Sequence, residues 1–175
     1  MRNSHTLPIL FSALIISACS ESQSESTQAI LESLNPCELL TADDIQQTTG
    51  HVMKPGEERH DISCNFESTE VEGQYELPKY RWIFQYMRNP AVSAKQIQEH
   101  HKEMMAEVDD YQSTPVSDIG DQAYWDQFTG VTVLTVYATR GDNTYTLSIQ
   151  PDFKGEEQML EQAKALAGLA LSRLN

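Results

Sequence analysis

The chain has 175 residues, with 12 basic against 26 acidic side chains and a formal net charge of −14. An acidic surface repels phosphate backbones and anionic headgroups, which argues against nucleic acid as a partner. The length suits one domain with one core plus a flanking segment, and no internal repeat is visible.

Residues 1–18 carry a single charged side chain, Arg2, and then an apolar run that includes Phe11, Leu14, Ile15 and Ile16. A charged start, a short apolar stretch and small residues at its end have the form of an export signal. The run falls short of the roughly 20 residues that a membrane-spanning helix needs. It ends in Ile16-Ser17-Ala18-Cys19, which resembles the lipobox of bacterial lipoproteins. Small side chains there admit a peptidase, and the Cys19 thiol is expected to accept a diacylglycerol. Several acyl chains on one residue exceed the marginal membrane binding of a single chain. An ordinary signal peptide ending beside a cysteine is the other reading. By similarity to enterobacterial lipoproteins, which favour Asp after the cysteine for inner-membrane retention, Ser20 points to the outer membrane, facing the periplasm. Residues 19–33 then read as the lipidated cysteine and a tether, because residues 20–27 are dominated by Ser, Glu and Gln. Residues 34–175 are left for a single folded domain.

Two further cysteines follow, Cys37 and Cys64. In an exported domain a spare pair most simply forms a disulfide; a free pair or a metal site are the alternatives. Pro36 suits the first position of a short helical turn. Thr41-Ala42-Asp43-Asp44 fits a capping box, and Gly50 suits the left-handed residue beyond the helix that follows. Residues 62–67 read as a strand with Ile62, Cys64 and Phe66 on one face, which turns Cys64 inward toward Cys37. Residues 70–76 read as a polar hairpin or loop. Along 79–88 Tyr80, Trp82, Phe84 and Tyr86 alternate onto one face, the pattern of a central strand. Pro90 is expected to open a long helix whose buried stripe is Ile97, His101, Met104 and Val108. Thr114-Pro115 ends that region. Residues 118–121 form a turn into 122–125. Strands at 131–139 and 144–150 are joined by a tight turn at Arg140-Gly141-Asp142-Asn143. A helix over 156–174 closes the chain, with Leu160, Ala163, Ala167, Ala170, Leu171 and Leu174 buried. This order predicts an α+β domain, a mainly antiparallel sheet with helices packed on one face and one disulfide.

The segment Asn35-Pro36-Cys37-Glu38-Leu39-Leu40-Thr41-Ala42-Asp43-Asp44-Ile45, ending in Gly50, resembles the opening of a family of small lipoproteins of unknown function, best populated in actinobacteria. Their mature domains begin Pro-Cys-x-Leu-Leu-Thr and carry a second cysteine a strand later, with an aromatic close behind, as Cys64 and Phe66 stand here. Ile119-Gly120-Asp121-Gln122-Ala123-Tyr124-Trp125 is similar to a later Gly-Asp-x-Ala-aromatic turn of such domains. The resemblance implies an envelope lipoprotein with a Cys37–Cys64 bridge and no assigned enzyme activity.

Candidate chemistry is sparse. His100, His101, Met104 and Met105 would form a soft copper site if they converged, although an amphipathic helix commonly carries such a histidine without a metal. His51, His60 and Asp61 flank an acidic loop but match no zinc spacing. No Gly-x-Ser-x-Gly elbow is present, and the acidic pairs Asp43-Asp44 and Asp109-Asp110 lie at helix ends, where solvated carboxylates are ordinary. Tyr124 and Trp125, beside a turn, are the candidate binding edge. The expectation is therefore a non-enzymatic envelope lipoprotein without a cofactor, attached to the membrane through its lipid and binding an envelope protein or small ligand. A metal-handling lipoprotein or a hydrolase are the competing classes.

Overall fold

The computed structural model describes residues 34–153 and 158–174. The expected signal segment, Cys19 and the tether lie outside them. Asn35 accepts a hydrogen bond from the Cys37 amide and starts helix α1, Pro36–Leu39. Thr41 caps α2, Ala42–Thr49: its hydroxyl accepts from the Asp44 amide at 3.2 Å, and Asp44 accepts from the Thr41 amide at 2.8 Å. Gly50, at φ 80°, ends the helix in the left-handed conformation.

Seven strands form one sheet: β1 (Glu57–Arg59), β2 (Ser63–Glu67), β5 (Arg81–Pro90), β6 (Gln112–Val116), β7 (Gln122–Phe128), β8 (Val131–Arg140) and β9 (Asn143–Pro151). Their spatial order is β1-β2-β5-β9-β8-β7-β6, and every neighbouring pair is antiparallel. Between β2 and β5 a separate ribbon pairs β3 (Val71–Glu72) with β4 (Leu77–Pro78). The sheet edges are short and blunted, β1 by Glu57, Glu58 and Arg59 and β6 by Pro115, which limits further strand addition.

The class is the α+β arrangement expected, with α1, α2 and the closing helix α4 (Met159–Ser172) on one face. Phe66, Trp82, Phe84, Leu134, Val136, Leu147 and Ile149 meet Leu39, Ile45, Leu166 and Ala170 there in one core. Burying such side chains contributes about 1.5–3 kcal/mol each. The small residues Ala163, Ala167 and Ala170 let α4 lie close to the sheet. The helix begins at Met159 behind Gln158, and the expected start at residue 156 lies outside the described residues.

Helix α3 departs from the single-face arrangement and from its expected start. It runs Ala94–Met105 and lies across the opposite face, where β8 contributes the buried Thr135 and Tyr137. Pro90 does not open it. Residues up to Pro90 are drawn into β5 by pairing with β9, Pro90 lying opposite Asn143. Ala91 then reverses the chain at φ 56°, and Ser93 caps the helix in a capping box with Gln96. The buried stripe moves with the new start. Ala94 and Gln98 are buried, His101 is half-buried, and Met104, expected inside, is 57% exposed. Ile62, expected beside Cys64, also turns outward, and Tyr80 is only half-buried because it precedes β5. No helix among the described residues is long and apolar enough to cross a membrane.

Candidate functional site

The register of β9 creates a fork in the sheet. From Asn143 to Ile149 the strand pairs with β8 on one side and β5 on the other. Gln150 and Pro151 continue to pair with β5, opposite Ile83 and Trp82, but their β8 partners drop away. Residues 131–133 of β8 meanwhile pair with β7 alone. The cause lies in the chain. The Asp152 amide donates to the Arg81 carbonyl on the β5 side (2.8 Å), so by alternation the backbone of Pro151 faces β8. Proline has no N–H to offer the ladder, and pairing stops there.

A cavity of about 590 Å³ occupies this end of the sheet. Thr132, Gln150, Asp152 and Phe153 line it from the fork, Lys79 and Tyr80 from the approach to β5, and Glu72 from the ribbon. Its charges are largely engaged with neighbours. Arg81 holds Asp152 at 2.9 Å and reaches Glu67 at 3.4 Å, while Lys79 pairs with Glu70 at 3.3 Å and lies 4.8 Å over the Tyr80 ring. Glu70 and the Tyr80 side chain raise the Lys79 ammonium above its ordinary value, the tyrosine contributing most. The aromatic wall is closely packed: His51 stacks on Tyr80 at 3.5 Å, and Phe153 packs steeply against both Tyr80 and Trp82.

The second polar assembly lies beneath α3. Asp126 is 1% exposed on β7, and Tyr111 donates to it at 2.8 Å. Thr135 donates to its other oxygen at 3.4 Å, and the His101 ring nitrogen approaches that oxygen at 3.7 Å, an ionic distance rather than a hydrogen bond. Burial pushes the Asp126 carboxyl up, but His101, Ser113 and Tyr111 together hold it below its ordinary value. Burial, with Asp126 nearby, pushes the Tyr137 phenol up to about 12. Gln98 is buried above this layer, and its amide nitrogen has no partner among the described residues. Asp126 was not legible as a site residue in the sequence. The alternation of β7 places it with Tyr124 on one face, yet nothing local announces that α3 and Tyr111 will cover that face.

Cys37 and Cys64 form a disulfide with Cα atoms 5.2 Å apart. Gly56 lies against it, and a Cβ there would run into Cys64 Sγ and the Phe66 ring. Cys19 lies outside the described residues. Tyr124 and Trp125 do not form an edge, because β6 pairs outside β7 over the whole of this stretch. They also point to opposite faces. Trp125 packs on the core, whereas Tyr124 meets Tyr137 and lies under the Lys102 ammonium, 5.6 Å away. His101 turns toward Asp126, and His100 and Met104 are solvent-exposed, so the soft quartet is split between the inside and outside of α3. Met105 is half-buried. His51 stacks on Tyr80, far in role from His60 and Asp61, which make the β1–β2 turn with φ 57° each. Asp44 is no solvated carboxylate: Arg173 clamps it. Among the described residues no three His, Cys, Asp or Glu side chains gather as a metal cluster.

No family model, curated protein or solved structure matches this chain.

Proposed function

We propose that this chain is an envelope lipoprotein, lipidated at Cys19, whose stapled domain binds a small ligand or a protein partner without transforming it. One observation carries the reading. Cys37 and Cys64 are bonded to each other, so of three cysteines only Cys19 offers a thiol for acylation, directly behind Ile16-Ser17-Ala18. A disulfide also suits an oxidising compartment outside the cytoplasm. Ser20 favours the outer membrane, with the domain facing the periplasm. The binding role is supported by the fork cavity, whose size is within the range of small-molecule sites, about 300–1,000 Å³. Its walls are hydrogen-bonding and ion-paired side chains rather than an activated nucleophile. The geometry does not favour the metal-handling alternative, because His101 and His100 diverge across α3.

The test is to compare the full chain with Cys19→Ser in a bacterial host fed an alkyne fatty acid. The native chain should take the label and sediment with outer membranes, and the variant should lose the label and move to the soluble periplasmic fraction. An unlabelled native chain, or a variant that still sediments completely with membranes, would overturn the anchoring.

A further inference from the structure

We propose that the fork cavity between β8 and β9 is a site for an uncharged saccharide. The inference rests on the reading of the domain as a binding module and names the class of ligand it takes.

Most charged groups of the wall are already paired. Asp152 is held by Arg81, and Lys79 by Glu70, so a charged ligand would have to break an existing pair to gain a new one. Gln150 and Thr132 are half-buried and neutral, and neither side chain has a hydrogen-bond partner among the described residues. A carboxamide supplies two donors and an acceptor, and a hydroxyl supplies both senses. Glu72, on the ribbon, adds a carboxylate outside any ion pair among the described residues, able to accept from two adjacent hydroxyls. Donors and acceptors of both senses, with few uncommitted charges, match vicinal hydroxyl groups better than a phosphate, an amino acid or a peptide.

Because the ladder between β8 and β9 ends at the Leu134–Ile149 pair, short of Pro151, the strand edges beside Thr132 face the cavity instead of each other. Unpaired edges of this kind are usable donors and acceptors. Phe153, braced edge-on against Tyr80, gives the wall aromatic carbon against which the C–H face of a sugar ring can pack. The acidic surface disfavours anionic polymers, which leaves neutral glycans as the class that meets every wall group.

The experiment uses the full chain with Cys19→Ser, kept in solution, and follows backbone amide shifts on titration with maltotetraose, N,N′,N″,N‴-tetraacetylchitotetraose and tetralysine. The expected result is saturable shifts at Thr132, Gln150 and Phe153 with one of the two saccharides. Affinity should be unchanged by raising the salt, since no ion pair forms. Gln150→Ala should weaken binding by about tenfold, as loss of one well-placed hydrogen-bonding group does, without altering the melting temperature. Thr132→Val, which keeps the shape of the side chain, should weaken it without unfolding the fork. Salt-sensitive shifts at the same residues with tetralysine alone would overturn the saccharide class in favour of a basic peptide, while leaving the binding reading intact. An absence of shifts at the fork with all three probes overturns the site itself. Neither result touches the membrane fractionation, so failure of the anchor and failure of the ligand are separate outcomes.

Discussion

Replacing Arg173 by Met should remove about 1–2 kcal/mol of stability at neutral pH, and the loss should fade in acid. The guanidinium donates to both oxygens of Asp44, at 2.6 and 2.8 Å, and also to the Leu39 carbonyl at 2.8 Å. It thereby ties the end of α4 to the end of α1 and the start of α2. The Arg173 hydrogen bond, opposed by burial and assisted by Thr41, brings the Asp44 carboxyl from 3.8 to about 2. A displacement of that size corresponds to about 2.4 kcal/mol when the whole group is shielded. The Asp44 side chain is 12% exposed but Arg173 is 36% exposed, so water screens part of it and about 1–2 kcal/mol remains. The folded carboxyl titrates below the unfolded one. Its contribution is therefore complete above about pH 4 and is lost as the pH falls through about 2. Methionine keeps the apolar stem, so the comparison isolates the charge and its hydrogen bonds. Urea unfolding, followed by fluorescence of the buried Trp82, would be run at pH 7, 5, 4, 3 and 2 on both proteins. The difference between them should hold steady from pH 7 to 4 and shrink toward pH 2, leaving the smaller, pH-independent share of the Leu39 carbonyl. A difference below about 0.3 kcal/mol at pH 7, or one that stays constant down to pH 2, refutes the reasoning.

Removing the disulfide as Cys37→Ala with Cys64→Ala should cost about 3–4 kcal/mol, because the bridge closes a loop of 27 residues' separation in the unfolded chain; chemical denaturation checks this, and an unchanged midpoint would show that the bridge is incidental. Gly56→Ala should cost about 1–3 kcal/mol through overpacking against Cys64 and Phe66, read as a fall in melting temperature, and a neutral outcome would mean that the loop yields freely. Thr129→Asn should stabilise by roughly 0.5–1 kcal/mol, since Thr129 and Gly130 both hold positive φ, 47° and 78°, between β7 and β8, and such a turn favours Asn-Gly over a β-branched residue. A loss of stability from that exchange would show that the threonine side chain makes a contact worth more than the backbone strain.

The features legible without coordinates are those whose causes are local. Thr41 and Asp44 are three residues apart, so their capping box is decided within a single turn, and Gly50 ends the helix by its own conformational freedom. The alternation of Trp82, Phe84 and Tyr86 follows from the pleat of an extended chain, whatever it packs against. The disulfide could be anticipated because reading Cys19 as a lipid acceptor leaves Cys37 and Cys64 for each other, and the resemblance of residues 35–45 to a family of small lipoproteins pointed the same way.

Tertiary structure decided everything that required a distant partner. Pro90 is acceptable at a helix start or a strand end, and pairing with Asn143 across the sheet selected the strand. That choice displaced α3 by four residues, turned Met104 outward and brought His101 over Asp126. The Gln112–Val116 strand has no apolar alternation of its own, and it exists because β7 offers it an edge. Asp44 and Arg173 are 129 residues apart, a separation no local pattern spans. The fork has the same origin. Pro151 could end pairing anywhere along a strand, but only the register of β9 between β5 and β8 sets that missing N–H opposite Thr132, where it opens a cavity instead of an exposed edge. Local stereochemistry and solvent affinity are properties of the chain, whereas register and burial are properties of which segments meet.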